Sequence, residues 1–255
     1  MIMKTFRELY NELLQQSLQA QTPQPNGDFD PYHLDCLLNP DRHAPVWRLR
    51  NCECTEQKRA ECGQICDFDA LGRDENGNVV IINERCVACN ACVEHCVEKN
   101  LIGRVDVFPV LNLLRTSEDP VYAMIAPAFI SQFSDQVTPG KLRTAFKRLG
   151  FAGMIEVALT ADILTLKEAF EFDRFIQTDE DYLLTSCCCP LWIALIRTGY
   201  SHLISHVPPS TSPMAACGRL IKQLYPNAKT VFIGPCIAKK SEARMPDIAG
   251  STDHV

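Results

Sequence analysis

Eight cysteines between Cys52 and Cys96 constrain this chain more than any other feature. In a short secreted domain, such a density would indicate a disulfide framework. The N-terminus argues against secretion, because residues 1–20 place apolar side chains at helical spacing and contain no apolar signal-peptide core. We therefore expect a cytoplasmic protein whose cysteines bind metal.

Composition argues against two classes of partner. Hydrophobic residues make up 46% of the 255 residues and charged residues 22%, as in a folded domain with a core. The formal net charge is -6 and there is no basic block, so we expect no nucleic-acid partner. No apolar stretch approaches the ~20 residues that span a bilayer, so we expect no membrane partner.

Three regions differ in composition. Residues 1–45 contain an amphipathic helix and five prolines, and we interpret them as a helix followed by a proline-rich linker. Residues 46–108 hold the eight cysteines. Residues 109–255 alternate apolar strands with amphipathic helices, which is typical of βαβ units. Strands are predicted at 121–128, 154–159, 182–186 and 230–234, and helices at 138–149, 163–176, 191–199 and 213–225.

The spacing of the eight cysteines favours iron over zinc. The last four have the spacing C-x2-C-x2-C-x3-C, which is found in bacterial iron–sulfur proteins, whereas a zinc site usually needs two separated pairs. The first four begin irregularly but end in the same C-x3-C. Between the two sets, Asn76 and Gly77 separate short apolar runs and predict a hairpin.

This layout resembles that of bacterial two-cluster ferredoxins, in which the fourth cysteine of each set binds the other cluster. The resemblance implies two 4Fe-4S clusters that transfer single electrons. One cluster would be held by Cys66, Cys86, Cys89 and Cys92, and the other by Cys52, Cys54, Cys62 and Cys96. Cys36 and Cys217 lie outside both sets and are predicted to be packing thiols.

Four short motifs follow the predicted strands: IAPA at 125–128, LTAD at 159–162, TSCCCPLW at 185–192 and GPCIAKK at 234–240. In open parallel sheets, ligands bind in the crevice beyond the carboxyl ends of the strands. A cysteine on a strand-to-helix turn also faces a helix N-terminus, where the dipole stabilises a thiolate. We therefore expect Ala126, Pro127 and Pro235 to contribute to a cofactor site in this crevice.

These motifs resemble the signatures of the iron-only hydrogenases. TSCCCPLW is similar to TSCCPxW, and GPCIAKKSEA is similar to MPCTAKKxE. The segments TADILTLKEAFE and SPMAACGRLIKQLYP resemble two further family segments. The predicted fold class is therefore an α+β two-cluster ferredoxin-like domain followed by an α/β domain with a mainly parallel sheet, which would be part of a hydrogenase catalytic domain.

The resemblance implies a hydrogen-activating cluster, in which a 4Fe-4S cubane is joined to a diiron subsite. Cys189 and Cys236 would be ligands of the cubane, and Lys239 would hydrogen-bond a cyanide ligand of the subsite. Cys188 would be the thiol that passes protons to the subsite. The other two cubane ligands belong to a third family signature, which does not occur before Val255.

A proton path would continue from Cys188 to two glutamates. Glu168 and Glu171 have i,i+3 spacing, which puts both carboxylates on one helix face and suits a relay by short hops. Read without the surrounding motifs, such a pair is more often a solvated surface feature. A serine of the family's path falls at Pro208, which cannot pass a proton.

Further departures concern the signatures themselves. The first has three cysteines, so Cys187 takes the place of a serine, and Gly234 replaces a methionine, which predicts looser packing around the subsite. Because the third signature is absent, we expect the hydrogen-activating cluster only in a complete protein. The sequence is interpreted as a fragment of a longer chain or, alternatively, as a subunit that a second chain completes.

The leading hypothesis is an iron-only hydrogenase that reversibly reduces protons to dihydrogen, with ferredoxin or another redox protein as electron partner. A hydrogen-sensing homologue is a close variant. The non-enzymatic alternative is a hydrogenase-like iron–sulfur protein of cluster assembly or electron transfer. Cys188 and Ala238 favour the hydrogenase, because the resembling assembly factors generally lack the former and carry a different residue at the latter.

Overall fold

A computed structural model describes residues 3–19, 21–184 and 188–255. It divides the chain into two compact units, Met1–Thr116 and Ser117–Val255. The fold is α+β, with antiparallel strand pairs in the first unit and a parallel sheet in the second. In the part of the chain that is described, no helix has both the length and the apolar character needed to cross a membrane.

The first unit combines helices with two antiparallel strand pairs. β1 pairs with β4, and β2 pairs with β3 to form a hairpin. The helices are α1 (Phe6–Leu18), α2 (Pro31–Leu38), a short 3-10 helix (Pro40–Arg42), α3 (Glu56–Gln64), α4 (Ala91–His95) and α5 (Val107–Thr116). The strands are β1 (Val46–Arg48), β2 (Leu71–Arg73), β3 (Val79–Ile81) and β4 (Leu101–Gly103).

The N-terminal helices build a core of their own. Leu9 and Leu13 on the predicted amphipathic helix α1 are buried against Leu37 and Trp47. The linker prediction is wrong for residues 31–38, which form α2. Pro31 occupies the first helical position, where a missing N–H leaves no hydrogen bond unmade, so this proline starts a helix instead of interrupting one.

The second unit is built on a three-stranded parallel sheet in the order β6–β5–β7. Its strands are β5 (Val121–Ile125), β6 (Gly153–Glu156) and β7 (Lys229–Ile233), and its helices are α6 (Pro139–Arg148), α7 (Ala158–Phe175), α8 (Pro190–Gly199), α9 (Pro213–Leu224) and α10 (Ala238–Glu242). Short 3-10 helices cover Pro127–Phe129 and Ser201–His206. Met124 from the central strand packs with Met214, Cys217 and Phe232 in the core.

The helices and strands predicted for this unit agree with the structure where a turn separates one element from the next. Three of the predicted strands and all four predicted helices are present, but the strand predicted at 121–128 ends at Ile125, and Pro127–Phe129 form a 3-10 helix. The predicted strand at 182–186 is wrong for residues 182–184, which have no regular structure, while 185 and 186 lie outside the described residues. The apolar run 154–159 was assigned wholly to a strand, but β6 ends at Glu156 and α7 begins at Ala158, because periodicity alone does not separate two apolar elements that abut.

The last residues of the sequence pack on β7. Val231 forms a parallel bridge with His254, and the Phe232 N–H donates to the His254 carbonyl at 2.8 Å. The Thr230 hydroxyl donates to the Ser251 carbonyl at 3.1 Å. Residues 251–254 therefore run along the outer edge of β7.

Candidate metal centres

One group of four cysteines surrounds a cavity of about 100 Å³ in the first unit: Cys52, Cys54, Cys62 and Cys96. Two of them lie in the loop before α3, and Arg59 fixes this loop by donating to the carbonyl oxygens of Cys52 at 2.8 Å and Cys54 at 3.0 Å. Lys58 and Arg73 also line the cavity. Burial raises the pKa of the Cys62 thiol, and the Arg73 guanidinium partly offsets this effect.

A second group of four lines another cavity, of about 20 Å³: Cys66, Cys86, Cys89 and Cys92. The loop that carries three of them turns sharply, with Ala88 at φ 56° and Asn90 at φ 72°, in the left-handed region. Apolar side chains such as Phe68 and Leu71 complete the lining. This cavity therefore offers four thiols in an apolar setting.

In each group, the fourth cysteine comes from the other cysteine set of the sequence. Cys66 lies with the later set and Cys96 with the earlier set. These two thiols are held alike, because Cys66 accepts a hydrogen bond from the Ala70 N–H at 3.2 Å and Cys96 from the Asn100 N–H at 3.3 Å. The groups have the membership that the ferredoxin resemblance implied, while ligation itself stays a prediction.

Burial opposes ionisation of three of these thiols, one in the first cavity and two in the second. Burial raises the pKa of Cys92 to about 12, with repulsion from the neighbouring thiols adding to it. Burial also raises the pKa of Cys62 and of Cys86. A bound metal reverses this effect, since coordination deprotonates a thiol. A bound cationic centre would therefore favour the thiolate form of these three cysteines.

The donor sets fit iron–sulfur clusters. Four thiols around one cavity are the ligand set of a 4Fe-4S cluster. Among the described residues, no three His, Cys, Asp or Glu side chains lie close enough together to hold a single metal ion.

The predicted hairpin is confirmed and positions Cys52. Gly77 has φ 74° in the turn between β2 and β3, as the Asn-Gly pair predicted. The Asn78 side-chain oxygen accepts from the Cys52 N–H at 2.7 Å, and its amide donates to the Asp74 carboxylate at 3.0 Å. Desolvation opposes ionisation of Asp74, but hydrogen bonds from Asn78 and Arg48 outweigh it and lower the pKa of Asp74 to about 2.

Asp74→Asn is expected to loosen the cluster held by Cys52 and its group. In asparagine, the amide nitrogen that replaces one carboxylate oxygen cannot accept a hydrogen bond, so the Asn78 side chain that holds Cys52 loses its acceptor. Loss of a group that orients a ligand weakens metal binding, here on the order of tenfold. We expect about half of the bound iron to pass to a chelator correspondingly faster, as measured by the absorbance of the iron–chelator complex.

Glu75→Gln, which changes an exposed carboxylate in the same turn, is the matched control and should release iron at the wild-type rate. The pKa of Asp74 is about 2 in the folded protein and about 3.9 in the unfolded chain. The ionised Asp74 therefore contributes its full stabilisation of the folded turn above about pH 4, and this stabilisation is lost as the pH falls toward 2. The effect of Asp74→Asn should therefore be constant from pH 8 to 5. Equal release by both variants would contradict the assigned role of Asp74.

In the second unit, two of the motifs meet at one edge of the sheet. β5 and β7 are parallel neighbours, and the Ala126 N–H donates to the Ile233 carbonyl at 2.9 Å. Pro127 and Pro235 follow these strands and are exposed. A Cβ on Gly234 would lie 2.9 Å from the Ala126 Cβ, so glycine allows close approach here. The effect of Gly234 on packing around the subsite stays a prediction.

The cysteines of the two signatures lie on adjacent turns. Cys189 directly precedes Pro190, the first residue of α8, and Cys236 lies between β7 and α10. Cys188, Cys189 and Cys236 are all exposed, whereas Cys187 lies outside the described residues. The Lys239 ammonium donates to the Cys188 carbonyl at 2.7 Å, so the third and fourth motifs are in direct contact.

Both candidate glutamates of the proton path lie on α7 and are half-buried. Lys167 forms an ion pair with Glu171 at 2.7 Å, and the Ser210 hydroxyl donates to Glu171 at 3.4 Å. Sequence comparison missed Ser210, because it stands two positions after Pro208. A hydroxyl is therefore present beside Glu171 although Pro208 has none.

Cys36 and Cys217 have 0% exposure, which confirms them as packing thiols. Burial raises the pKa of each to about 11. Cys217, a residue of α9, packs in the core with Met124 and Phe232. Its thiol stays neutral at physiological pH, which suits a packing residue.

Residues 119–255 match the family model described as "Iron only hydrogenase large subunit, C-terminal domain". The chain is 30% identical over 155 residues to iron hydrogenase 1 of Clostridium pasteurianum, covering 54% of this chain and 27% of that protein. It is 30% identical over 226 residues to the periplasmic [Fe] hydrogenase large subunit of Nitratidesulfovibrio vulgaris, covering 68% and 53%.

A further relative is named for a different role. The probable cytosolic Fe-S cluster assembly factor CG17683 of Drosophila melanogaster is 24% identical over 204 residues, covering 68% of this chain and 43% of that protein. The chain thus spans between about a quarter and about half of the length of these relatives.

Proposed function

The chain belongs to the iron-only hydrogenase large subunit family, and from that premise we propose that it is an iron–sulfur oxidoreductase of the hydrogenase type. Its reaction is the reversible reduction of protons to dihydrogen. The observation that carries the proposal is the contact between the two cysteine motifs, in which Lys239 bonds the carbonyl of Cys188. This contact supports the proposal because it joins the two motifs whose cysteines would hold part of the cofactor.

The first unit is proposed to be a two-cluster ferredoxin-like domain that conducts electrons. Two cavities with four thiols each support this role, because such clusters exchange single electrons. The electron partner is then ferredoxin or another redox protein. Because cysteines in this number stay reduced or bound to metal in a reducing compartment, we propose a cytoplasmic location.

The second unit is proposed to hold part of the hydrogen-activating cluster. Cys189 and Cys236 would supply two of the cubane ligands, and the others would come from the remainder of a longer protein or from a second chain. When bound, the diiron subsite would supply the metal chemistry for making or cleaving dihydrogen. Cys188, exposed at the same turn, would hold the proton that is exchanged there.

Protons would reach bulk water through the residues of α7. Glu168 and Glu171 are half-buried, and Ser210 lies at hydrogen-bond distance from Glu171. Carboxylates and hydroxyls within such distances pass protons in short steps. Ser210 would thus take the part that Pro208 cannot perform.

A second candidate is a non-enzymatic assembly factor that carries cubanes and no diiron subsite. The similarity to the Drosophila melanogaster protein named for that role favours it. Cys188 and Ala238 favour the hydrogenase over this candidate. A hydrogen sensor would use the same site as the hydrogenase and differ in its rate of turnover.

Infrared spectroscopy separates the two candidates. The chain would be produced anaerobically together with the enzymes that mature hydrogenases and with any segment that completes the site. We expect bands from carbon monoxide and cyanide bound to iron. A preparation with its full complement of iron and sulfide but without these bands would instead support the assembly factor.

A further inference from the structure

Lys239 and Glu242 form a buried ion pair one turn apart on α10. Their exposures are 9% and 4%, and the ammonium nitrogen lies 2.6 Å from the Glu242 carboxylate. Removing two charges from water is costly, and the cost is offset only when the charges pair with good geometry. A pair this deep in a short helix therefore needs an explanation beyond the stability of that helix.

The same ammonium reaches across to another element. It donates to the Cys188 carbonyl at 2.7 Å, 51 residues away in sequence. Lys239 thus connects the turn that precedes α8, which carries Cys188 and Cys189, to the helix that follows Cys236. A lysine ammonium has three donors. Two are used by these contacts, and none of the described residues accepts from the third.

We propose that Glu242 is a positioning residue that acts through Lys239. Its carboxylate holds the ammonium in place, and the ammonium holds the two cysteine-bearing turns at a fixed separation before any cluster is bound. This proposal deepens the proposed function, on which the meaning of the turns rests.

The charge of Glu242 is what this arrangement requires. Hydrogen bonds between ionised partners are shorter and stronger than neutral ones, and a glutamine would leave the buried ammonium without a counter-charge. Glu242 also lines a cavity of about 480 Å³, together with Pro190 and Ile193. Water can enter through this cavity once the pair is weakened, so the turn before α8 should open as well as α10.

Hydrogen exchange followed by mass spectrometry tests the proposal on the whole chain. In Glu242→Gln, we expect exchange in the peptides spanning 188–199 and 236–246 to become faster by about tenfold, given the strength of hydrogen bonds to charged groups. The peptide spanning 121–125 should keep its wild-type rate. Glu242→Asp keeps the charge and should give an intermediate rate in both peptides.

Glu156→Gln is the matched control, because it breaks a more exposed ion pair with Arg143 in the same unit. It should change neither peptide. If Glu242→Gln accelerates exchange in 236–246 alone, Glu242 stabilises only its own helix and the proposal is wrong. If Glu242→Gln does not fold, the double variant Lys239→Met/Glu242→Met replaces the pair by apolar groups, which buried sites tolerate. Wild-type exchange at 188–199 in that variant would also overturn the proposal.

Failure of the proposed function would look different. Glu242→Gln leaves the cysteines of the first unit intact, so its iron content should equal that of the wild type. Coupled exchange without carbon monoxide and cyanide bands would leave the positioning role standing and remove the hydrogenase. Carbon monoxide and cyanide bands without faster exchange in both peptides would support the hydrogenase and remove the positioning role of Glu242.

Discussion

Replacing both Cys66 and Cys92 by alanine is expected to leave about four bound iron atoms, the number that remains after either single replacement. Both thiols line one cavity. Loss of either thiol should already prevent that cluster from binding, so loss of the second should remove no further iron. The cluster at the other cavity keeps its four thiols. Iron and sulfide analysis after anaerobic reconstitution measures the outcome.

The complementary pair should behave oppositely. Cys62 and Cys66 are close in sequence but line different cavities. Replacing both by alanine should therefore destroy both clusters and leave almost no iron. If ligands were instead grouped by order along the chain, the two double variants would exchange their outcomes, and the cavity membership would be wrong. Cys36→Ala, in the same unit but away from both cavities, should keep about eight irons.

Gly218→Ala is expected to cause the largest loss of stability in the second unit. A Cβ at Gly218 on α9 would lie 1.8 Å from the Ser251 carbonyl oxygen and 2.7 Å from its carbon. Both are backbone atoms, so the segment that pairs with β7 would have to move. Overpacking of this kind typically costs about 1–3 kcal/mol and occasionally more.

The thermal unfolding midpoint of the second unit measures this cost, since 1 kcal/mol corresponds to roughly 2–4 °C in domains of comparable size. Gly140→Ala on α6 is the matched control. Its new Cβ would have no neighbour closer than 3.8 Å, and alanine favours helix over glycine. Its midpoint should be unchanged or slightly higher. A Gly218→Ala midpoint equal to that of Gly140→Ala would show that residues 251–254 do not pack against α9.

The predictable parts of the fold are those that local patterns encode. Gly77 follows Asn76 between apolar runs, and the chain turns there with a positive φ, as a hairpin of this kind requires. α6 and α9 each have an N-cap hydroxyl followed by proline, so their starts were found within a residue or two. Elements that begin without such a signal were misplaced, as α7 was.

The contacts that organise the candidate sites join residues distant in sequence, and no local pattern encodes them. The Asn78 side chain holds Cys52 from 26 residues away. The Lys239 ammonium donates to the backbone carbonyl of Cys188. Because every residue has such a carbonyl, the sequence does not indicate which one a lysine will contact. The motif comparison placed the serine of the proton path at Pro208 and so did not identify Ser210. The Ser210 hydroxyl, two residues further along the chain, reaches the Glu171 carboxylate.

The grouping of the cysteines was predictable from the sequence only in part. Their spacing indicated iron–sulfur clusters, because three thiols at C-x2-C-x2-C wrap one corner of a cubane. Spacing alone did not say which fourth cysteine completes each set. That assignment came from the ferredoxin resemblance, and the two cavities have the same membership.

The metal content of the wild-type chain tests the central claim most directly. All of the proposed electron transfer depends on two four-iron clusters in the first unit, so the anaerobically reconstituted chain should bind about eight iron atoms and as many sulfides. Electron paramagnetic resonance of the reduced protein should show two interacting clusters. An iron content near two, or zinc in place of iron, would contradict the claim.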